Sequence, residues 1–233
     1  YEISSGLVGS EMWYKRQPDK LVDEFGSYGD MFENLLQDES FTFAQYTVLE
    51  GNFPNLDDCD GYVITGSKFG AYDCLDWIPR LEKFIRNCFD IDTPVAGFCF
   101  GHQIMAQAMG GVVEKFSGGW DVGYKTYNLT FQEKNEKASV MAWHQDQVIQ
   151  KPKDAQLIAS SSFCKIAGLK YGNIGLSLQS HPEYNSDFLK GLMRERGALL
   201  PKHAKDGFYE NIHSPLSTER VTLMIKDFFK ANS

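Results

Sequence analysis

A cysteine set between glycines, Gly97-Phe-Cys-Phe-Gly-His-Gln103, constrains this chain more than any other feature. It lies where an apolar run, Thr93-Pro-Val-Ala96, gives way to a helical pattern carried by Ile104, Met105 and Ala108. A strand that turns sharply into a helix pushes the residue at the bend into an exposed turn, and glycines stand where side chains would clash. Gly97 and Gly101 have no obvious packing purpose beyond making that elbow. The helix that follows aims its N-terminal amides at the sulfur, a setting that favours a thiolate.

The segments around the elbow repeat the same alternation. Asp60-Gly-Tyr-Val-Ile-Thr65 reads as a short buried strand ending at Gly66-Ser67. Residues Trp77–Phe89 read as a helix with Ile78, Leu81, Phe84, Ile85 and Cys88 on its apolar face and Pro79 in its first turn. Strand Pro94–Phe98 and helix Gly101–Met109 follow, the latter stopped by Gly110-Gly111. Upstream, Ile3–Val8 is an opening strand weakened by Ser4-Ser5-Gly6, Asp30–Leu36 has helical spacing, and Phe41–Leu49 is strand-like. From Val112 to Ser180 the pattern turns to short strands: Val112–Phe116, Tyr124–Phe131, Ala138–Trp143, Gln156–Ser161, Phe163–Leu169 and Ile174–Gln179. Helices from about Asp187 to Leu199 and from Ser217 to Lys230 close the chain, and Lys202–Ser214 reads as an irregular surface loop.

Strands alternating with helices imply an α/β fold with a doubly wound, mainly parallel central sheet and flanking helices, and the β-rich middle implies a small antiparallel extension. No repeat or linker divides the chain, so residues 1–233 are expected to form a single domain. Ligands in such a sheet bind beyond the carboxyl ends of the strands. Gly66-Ser67, Cys99 and His181 each follow a strand directly, which brings three separate segments to one rim.

Composition removes several classes of function. A net charge of −8 without a basic stripe argues against a nucleic-acid partner. The longest apolar run, around Pro94–Phe100, is of strand length, far short of the ~20 residues of a membrane span. Five cysteines, an odd count without a CxxC pair, suit reduced thiols in a cytoplasmic protein, one catalytic and four buried. The chain starts at Tyr1, and an N-terminal segment removed upstream of it would leave secretion open. His203 and His213 lack ligand spacing, so no metal is expected, and without a P-loop or a Gly-x-Gly-x-x-Gly no cofactor is expected.

The remaining chemistry collects around Cys99. A cysteine nucleophile needs a base and a group that orients it. Ser180-His-Pro-Glu183 supplies both, because His181 and Glu183, spaced i and i+2 in an extended turn, can face one way. His144 is the rival base, with Asp146 as its nearest carboxylate, and ranks behind His181. His102, inside the elbow helix, is read as structural. Acyl transfer also requires donors where the oxyanion forms, and the amides of Phe100 and Gly66 are the candidates.

These residues together resemble a class I glutamine amidotransferase, the flavodoxin-like Cys-His-Glu family that cleaves the side-chain amide of glutamine. The family's Gly-x-Cys-x-Gly-x-Gln elbow stands as Gly97, Cys99, Gly101 and Gln103, its His-Pro-Glu as His181-Pro182-Glu183, and its oxyanion turn as Gly66-Ser67. Its Ser-His-x-Asp segment stands as Trp143-His144-Gln145-Asp146, with Trp in place of Ser. The resemblance implies that Ser67, Gln103, Trp143 and His144 help to hold the glutamyl head. Asp76-Trp77-Ile78, Gly119-Trp-Asp-Val-Gly123 and His181-Pro-Glu-Tyr-Asn185 are most similar to stand-alone γ-glutamyl peptidases of the plant type. The implied activity is a cysteine hydrolase of γ-glutamyl amide bonds in a small-molecule substrate, working through a thioester. A glutaminase component that delivers ammonia to a synthetase partner is the first alternative, and a non-catalytic binding or storage protein on the same fold the second. The oligomeric state stays open.

Overall fold

In the computed structural model the described residues are 3–9, 19–131, 134–211 and 215–232. The chain opens with β1 (Ile3–Gly9), α1 (Asp19–Phe25), α2 (Tyr28–Leu36), β2 (Phe41–Thr47) and β3 (Gly61–Ile64). Helix α3 (Trp77–Asp90), β4 (Val95–Phe98) and α4 (Phe100–Ala108) form the central crossover and the elbow. Strands β5 (Val112–Lys115), β6 (Asp121–Phe131), β7 (Lys134–His144), β8 (Asp146–Gln150), β9 (Gln156–Ser160), β10 (Gly168–Tyr171) and β11 (Gly175–Leu178) follow, before α5 (Ser186–Arg196), α6 (Lys202–Asn211) and α7 (Thr218–Lys230). None of the described helices is long and apolar enough to cross a membrane.

Among the described residues the main sheet has nine strands in the order β2-β1-β3-β4-β11-β10-β9-β6-β7, and β5 pairs with β8 in a separate ribbon. From β2 to β11 every pairing is parallel, and from β11 to β7 every pairing is antiparallel. The parallel half is covered on both faces, which its apolar strands require. Phe32 and Leu36 of α2 and Ile225 and Phe229 of α7 pack on one face. Leu81 and Ile85 of α3 and Ile104 and Met105 of α4 pack on the other. The Ser-Ser-Gly sequence of β1 is a poor strand former, yet β1 bonds to β2 along one edge and β3 along the other, so ladder pairing outweighs local preference.

Three expectations need correction. The antiparallel part is not small: β6 and β7 are eleven residues each and extend the main sheet rather than decorate it. Residues Phe163–Leu169 are not one strand, because the Ser161 hydroxyl accepts the Cys164 amide in a turn and pairing begins only at Gly168. Lys202–Asn211 is a helix, where a loop through Ser214 was expected. Ala204 and Phe208, four residues apart, are buried on its inner side, and that apolar contact outweighs Gly207 and the surrounding charges. Residues 212–214, with His213, lie outside the described residues.

The elbow glycines also act differently from the expectation. Gly97 and Gly101 are not among the residues with positive φ. They are packing glycines: a Cβ on Gly97 would lie 2.5 Å from both the Gly101 carbonyl oxygen and the Met105 sulfur, and a Cβ on Gly101 would land on the Ile64 carbonyl oxygen. Their missing side chains let α4 sit directly on β3 and β4.

Candidate active site

Strain at the bend falls on the cysteine. Cys99 has φ 53° and ψ −104°, a conformation that costs a side-chain-bearing residue about 1–3 kcal/mol and is held only by its surroundings. Its N–H donates to the Leu178 carbonyl at the end of β11 (2.9 Å), while its carbonyl accepts the Gln103 amide in the first turn of α4 (3.1 Å). Phe100 opens α4 with its ring 5.6 Å from that of Trp77, and its amide is among the first-turn N–H groups that have no acceptor within the helix.

His181 is fixed from three directions. Its backbone N–H donates to the Met141 carbonyl on β7 (2.8 Å). Its Nδ1–H donates to Glu183 Oε1 at 2.7 Å, and both side chains are almost wholly buried. Its other nitrogen, Nε2, makes no well-aligned hydrogen bond among the described residues, and the group it interacts with is Cys99. Burial opposes a charge on this ring, but the Cys99 sulfur and the Glu183 carboxylate outweigh it and raise the imidazole's proton affinity above the ordinary histidine range. Gly66 belongs to the same cluster: a Cβ there would lie 3.1 Å from His181 Cε1 and 3.8 Å from Cys99 Cβ. Ser67 lies on the pocket wall, and its hydroxyl accepts the Phe69 amide (3.3 Å), which shapes the turn after β3.

The Trp143–Asp146 segment is tied down through one carbonyl. The oxygen of Asp146 accepts from Gln103 Nε2 at 2.9 Å and from His144 Nδ1 at 3.2 Å, and Gln103 Nε2 also reaches Gln179 Oε1 at 3.2 Å. The amide nitrogen of Gln103 therefore holds the pocket wall in place. His144 Nε2 lies 3.9 Å from Asp121 Oδ2, but burial outweighs that carboxylate and lowers the ring's pKa to about 4, so the contact is not an ion pair at neutral pH. Asp121 turns its other oxygen to Lys125 (2.9 Å).

Cys99, Gly66, Ser67, Gln103, Trp143, His144 and His181 all line one pocket of about 500 Å³, within the range of small-molecule sites. Tyr72 and Trp120 line it too, and the Tyr72 hydroxyl donates to Asp146 Oδ2 at 3.0 Å. Sequence reasoning missed Tyr28, Tyr184 and Arg196 on the same wall. Tyr184 directly follows the His-Pro-Glu motif, a signal that could have flagged it, whereas Tyr28 and Arg196 carry no local signal. His203 is exposed on α6, and among the described residues no group of three His, Cys, Asp or Glu is placed to hold a metal ion.

The other thiols and His102 belong to the scaffold. Burial pushes Cys88 and Cys164 up to about 12; Cys59 is buried and Cys74 exposed. His102 packs its ring between Ser177 Oγ (2.8 Å from Nδ1) and the Ile166 carbonyl (3.0 Å from Nε2). A carbonyl only accepts, so Nε2 carries the proton and Nδ1 accepts from the serine. Burial lowers this ring's pKa to about 4. Neutral His102 and His144 thus give stability that is complete above the unfolded value of 6.5 and lost as pH falls through about 4. His181, shifted upward, is protonated in both states across that window and contributes no slope there. The melting temperature is expected to drop between pH 6.5 and 4, with His102 alone accounting for up to about 3 kcal/mol. In His102→Gln the drop should shrink, and an unchanged slope in thermal melts would refute the assignment.

The glutamine amidotransferase class-I family model matches residues 25–195. The chain is 32% identical to γ-glutamyl peptidase 4 of Arabidopsis thaliana, across 80% of this chain and 78% of that one. It is 30% identical to one of the subunits of the glutamine-hydrolysing GMP synthase of Archaeoglobus fulgidus, across 72% of this chain and 90% of that one. Its fold matches a crystal structure of a glutamine amidotransferase from Thermotoga maritima with a TM-score of 0.77, 18% identity and coverage of 99% and 98%. This chain belongs to the class-I glutamine amidotransferase family.

Proposed function

We propose that the chain is a single-domain cysteine hydrolase of γ-glutamyl amide bonds, acting on small γ-glutamyl peptides. Cys99 attacks the γ-carbonyl carbon as a thiolate while His181, steered by Glu183, carries the proton. The amides of Phe100 and Gly66 donate to the oxyanion of the tetrahedral intermediate. His181 then protonates the departing amine, the C–N bond breaks, and a thioester remains on Cys99. Water, deprotonated by the now neutral His181, adds to the thioester and releases glutamate and the free cysteine. The observation that carries this reading is the 2.7 Å contact from Nδ1 to Glu183, which leaves the opposite nitrogen for Cys99 at the pocket wall. The likeness to a γ-glutamyl peptidase supports the substrate class, and a pocket of about 500 Å³ leaves room for an amine larger than ammonia. The odd number of free cysteines suits a reducing compartment such as the cytoplasm.

The likeness to a component of a GMP synthase favours a second reading, a glutaminase that passes ammonia to a synthetase partner. The purified chain, given γ-glutamyl dipeptides and glutamine separately, distinguishes the two. Dipeptide hydrolysis without a partner is the expected result. Glutamine hydrolysis that requires an added synthetase would favour the second reading, and inertness toward both would overturn each. In Gly66→Ala the new methyl group, 3.1 Å from His181 Cε1, should displace the ring and lower kcat about 10²-fold with the fold retained. A wild-type kcat would remove Gly66 from the site.

A further inference from the structure

Two hydrogen-bonding partners at opposite ends of an imidazole do not fix the ring completely. Nδ1 is held by Glu183 and Nε2 is directed at Cys99, yet the ring can still roll about the line that joins these contacts. A roll tilts the Nε2 proton away from the sulfur and keeps the bond to Glu183. Blocking it requires a flat surface against one face of the ring.

Tyr184 provides that surface. Its ring lies parallel to His181, with centroids 4.0 Å apart and planes 9° apart. Tyr184 is itself buried, with Phe188 at 4.5 Å, and its N–H donates back to the His181 carbonyl (3.4 Å). Behind it Tyr28 stacks at 6.1 Å, and the hydroxyl ends of the two tyrosines interact. We propose that Tyr184 is a positioning residue for His181, its ring setting the plane in which Nδ1 meets Glu183 and Nε2 meets Cys99. An aromatic face is also a favourable neighbour for an imidazolium in a buried site. The inference rests on the reading of His181 as the base of Cys99.

The ionisable groups around His181 are Cys99 at the start of α4, Glu183 on its own turn, His144 on β7 and, beyond Tyr184, Tyr28 on α2 with Arg196 at the end of α5. None is altered when Tyr184 alone is changed, so a change in pH behaviour reports on the stack.

The test is the rate of iodoacetamide alkylation at Cys99, followed by peptide mass spectrometry at pH 6 and pH 9. It compares wild type, Tyr184→Phe, Tyr184→Leu and Phe208→Leu. Phe208 is a buried ring in the same apolar cluster with no part in the stack, so its variant controls for lost stability. Tyr184→Phe keeps the ring and should match wild type at both pH values. Tyr184→Leu should react about tenfold more slowly at pH 6 with little change at pH 9, within what a buried cation–aromatic contact supplies. Phe208→Leu should melt lower and keep the wild-type ratio of rates. An unchanged ratio in Tyr184→Leu, or a Tyr184→Phe ratio matching that of Leu, overturns the proposal. A wild-type Cys99 that reacts no faster than Cys74 at pH 6 instead sinks the function reading, and the proposal with it. Should Tyr184→Leu not fold, NMR of the wild-type chain decides: ring-current shielding of the His181 ring protons supports the stack, and shifts like those of His102 overturn it.

Discussion

Cys99→Ala is expected to end γ-glutamyl hydrolysis, with turnover falling by roughly 10⁴–10⁶ and the fold intact. The sulfur is the atom that forms and breaks the bond to the substrate, so nothing in the pocket substitutes for it. Residual turnover within tenfold of wild type would remove Cys99 as the nucleophile. The same position carries a second consequence, because the strain belongs to the backbone and outlasts the sulfur. With φ at 53°, alanine inherits the left-handed conformation and its cost, whereas glycine adopts it freely. Cys99→Gly should therefore be as inactive as Cys99→Ala yet about 1 kcal/mol more stable, a rise of about 2–4 °C in Tm for a chain of this size. Equal melting temperatures would show that the bend is unstrained.

Gly101→Ala should be the most destabilising single methyl group that can be added to this chain. It would meet the Ile64 carbonyl oxygen, a backbone atom of β3 locked between β1 and β4, so relief requires α4 to lift from the sheet. The expected loss is about 3 kcal/mol or more, seen as a fall in soluble yield and in the denaturant midpoint. Gly207→Ala is the matched contrast. No atom lies within 4 Å of its Cβ and the residue sits inside α6, so the same change should stabilise by about 0.5–1 kcal/mol. If Gly101→Ala melts like wild type, close helix–sheet contact is not what the glycine serves.

These two positions mark what the sequence could disclose. The parallel half was legible because β3 and β4 are fully apolar runs flanked by turn residues, and α3 begins at Trp77 as its spacing and Pro79 indicate. The convergence of Gly66, Cys99 and His181 was legible because each follows a strand of that half. It was not legible which residue of the elbow bears the strained backbone, since a glycine kept for close approach and one kept for positive φ look alike in a sequence. Helix α6 was hidden because Ala204 and Phe208 give it only two buried anchors amid charges and a glycine. The Tyr28–Tyr184 stack joins segments distant in the chain, and only the folding of α2 beside α5 creates it.

The burial of Cys59, Cys88 and Cys164 has a practical corollary for covalent chemistry. Two of these sulfurs hold their protons up to about pH 12, and all three are sealed inside packed side chains. An electrophilic fragment library meets just the exposed Cys74 and the pocket-lining Cys99. Converting Cys74 to serine would leave one accessible handle, located where a ligand would bind, so tethered fragments could map the pocket without knowledge of its natural substrate.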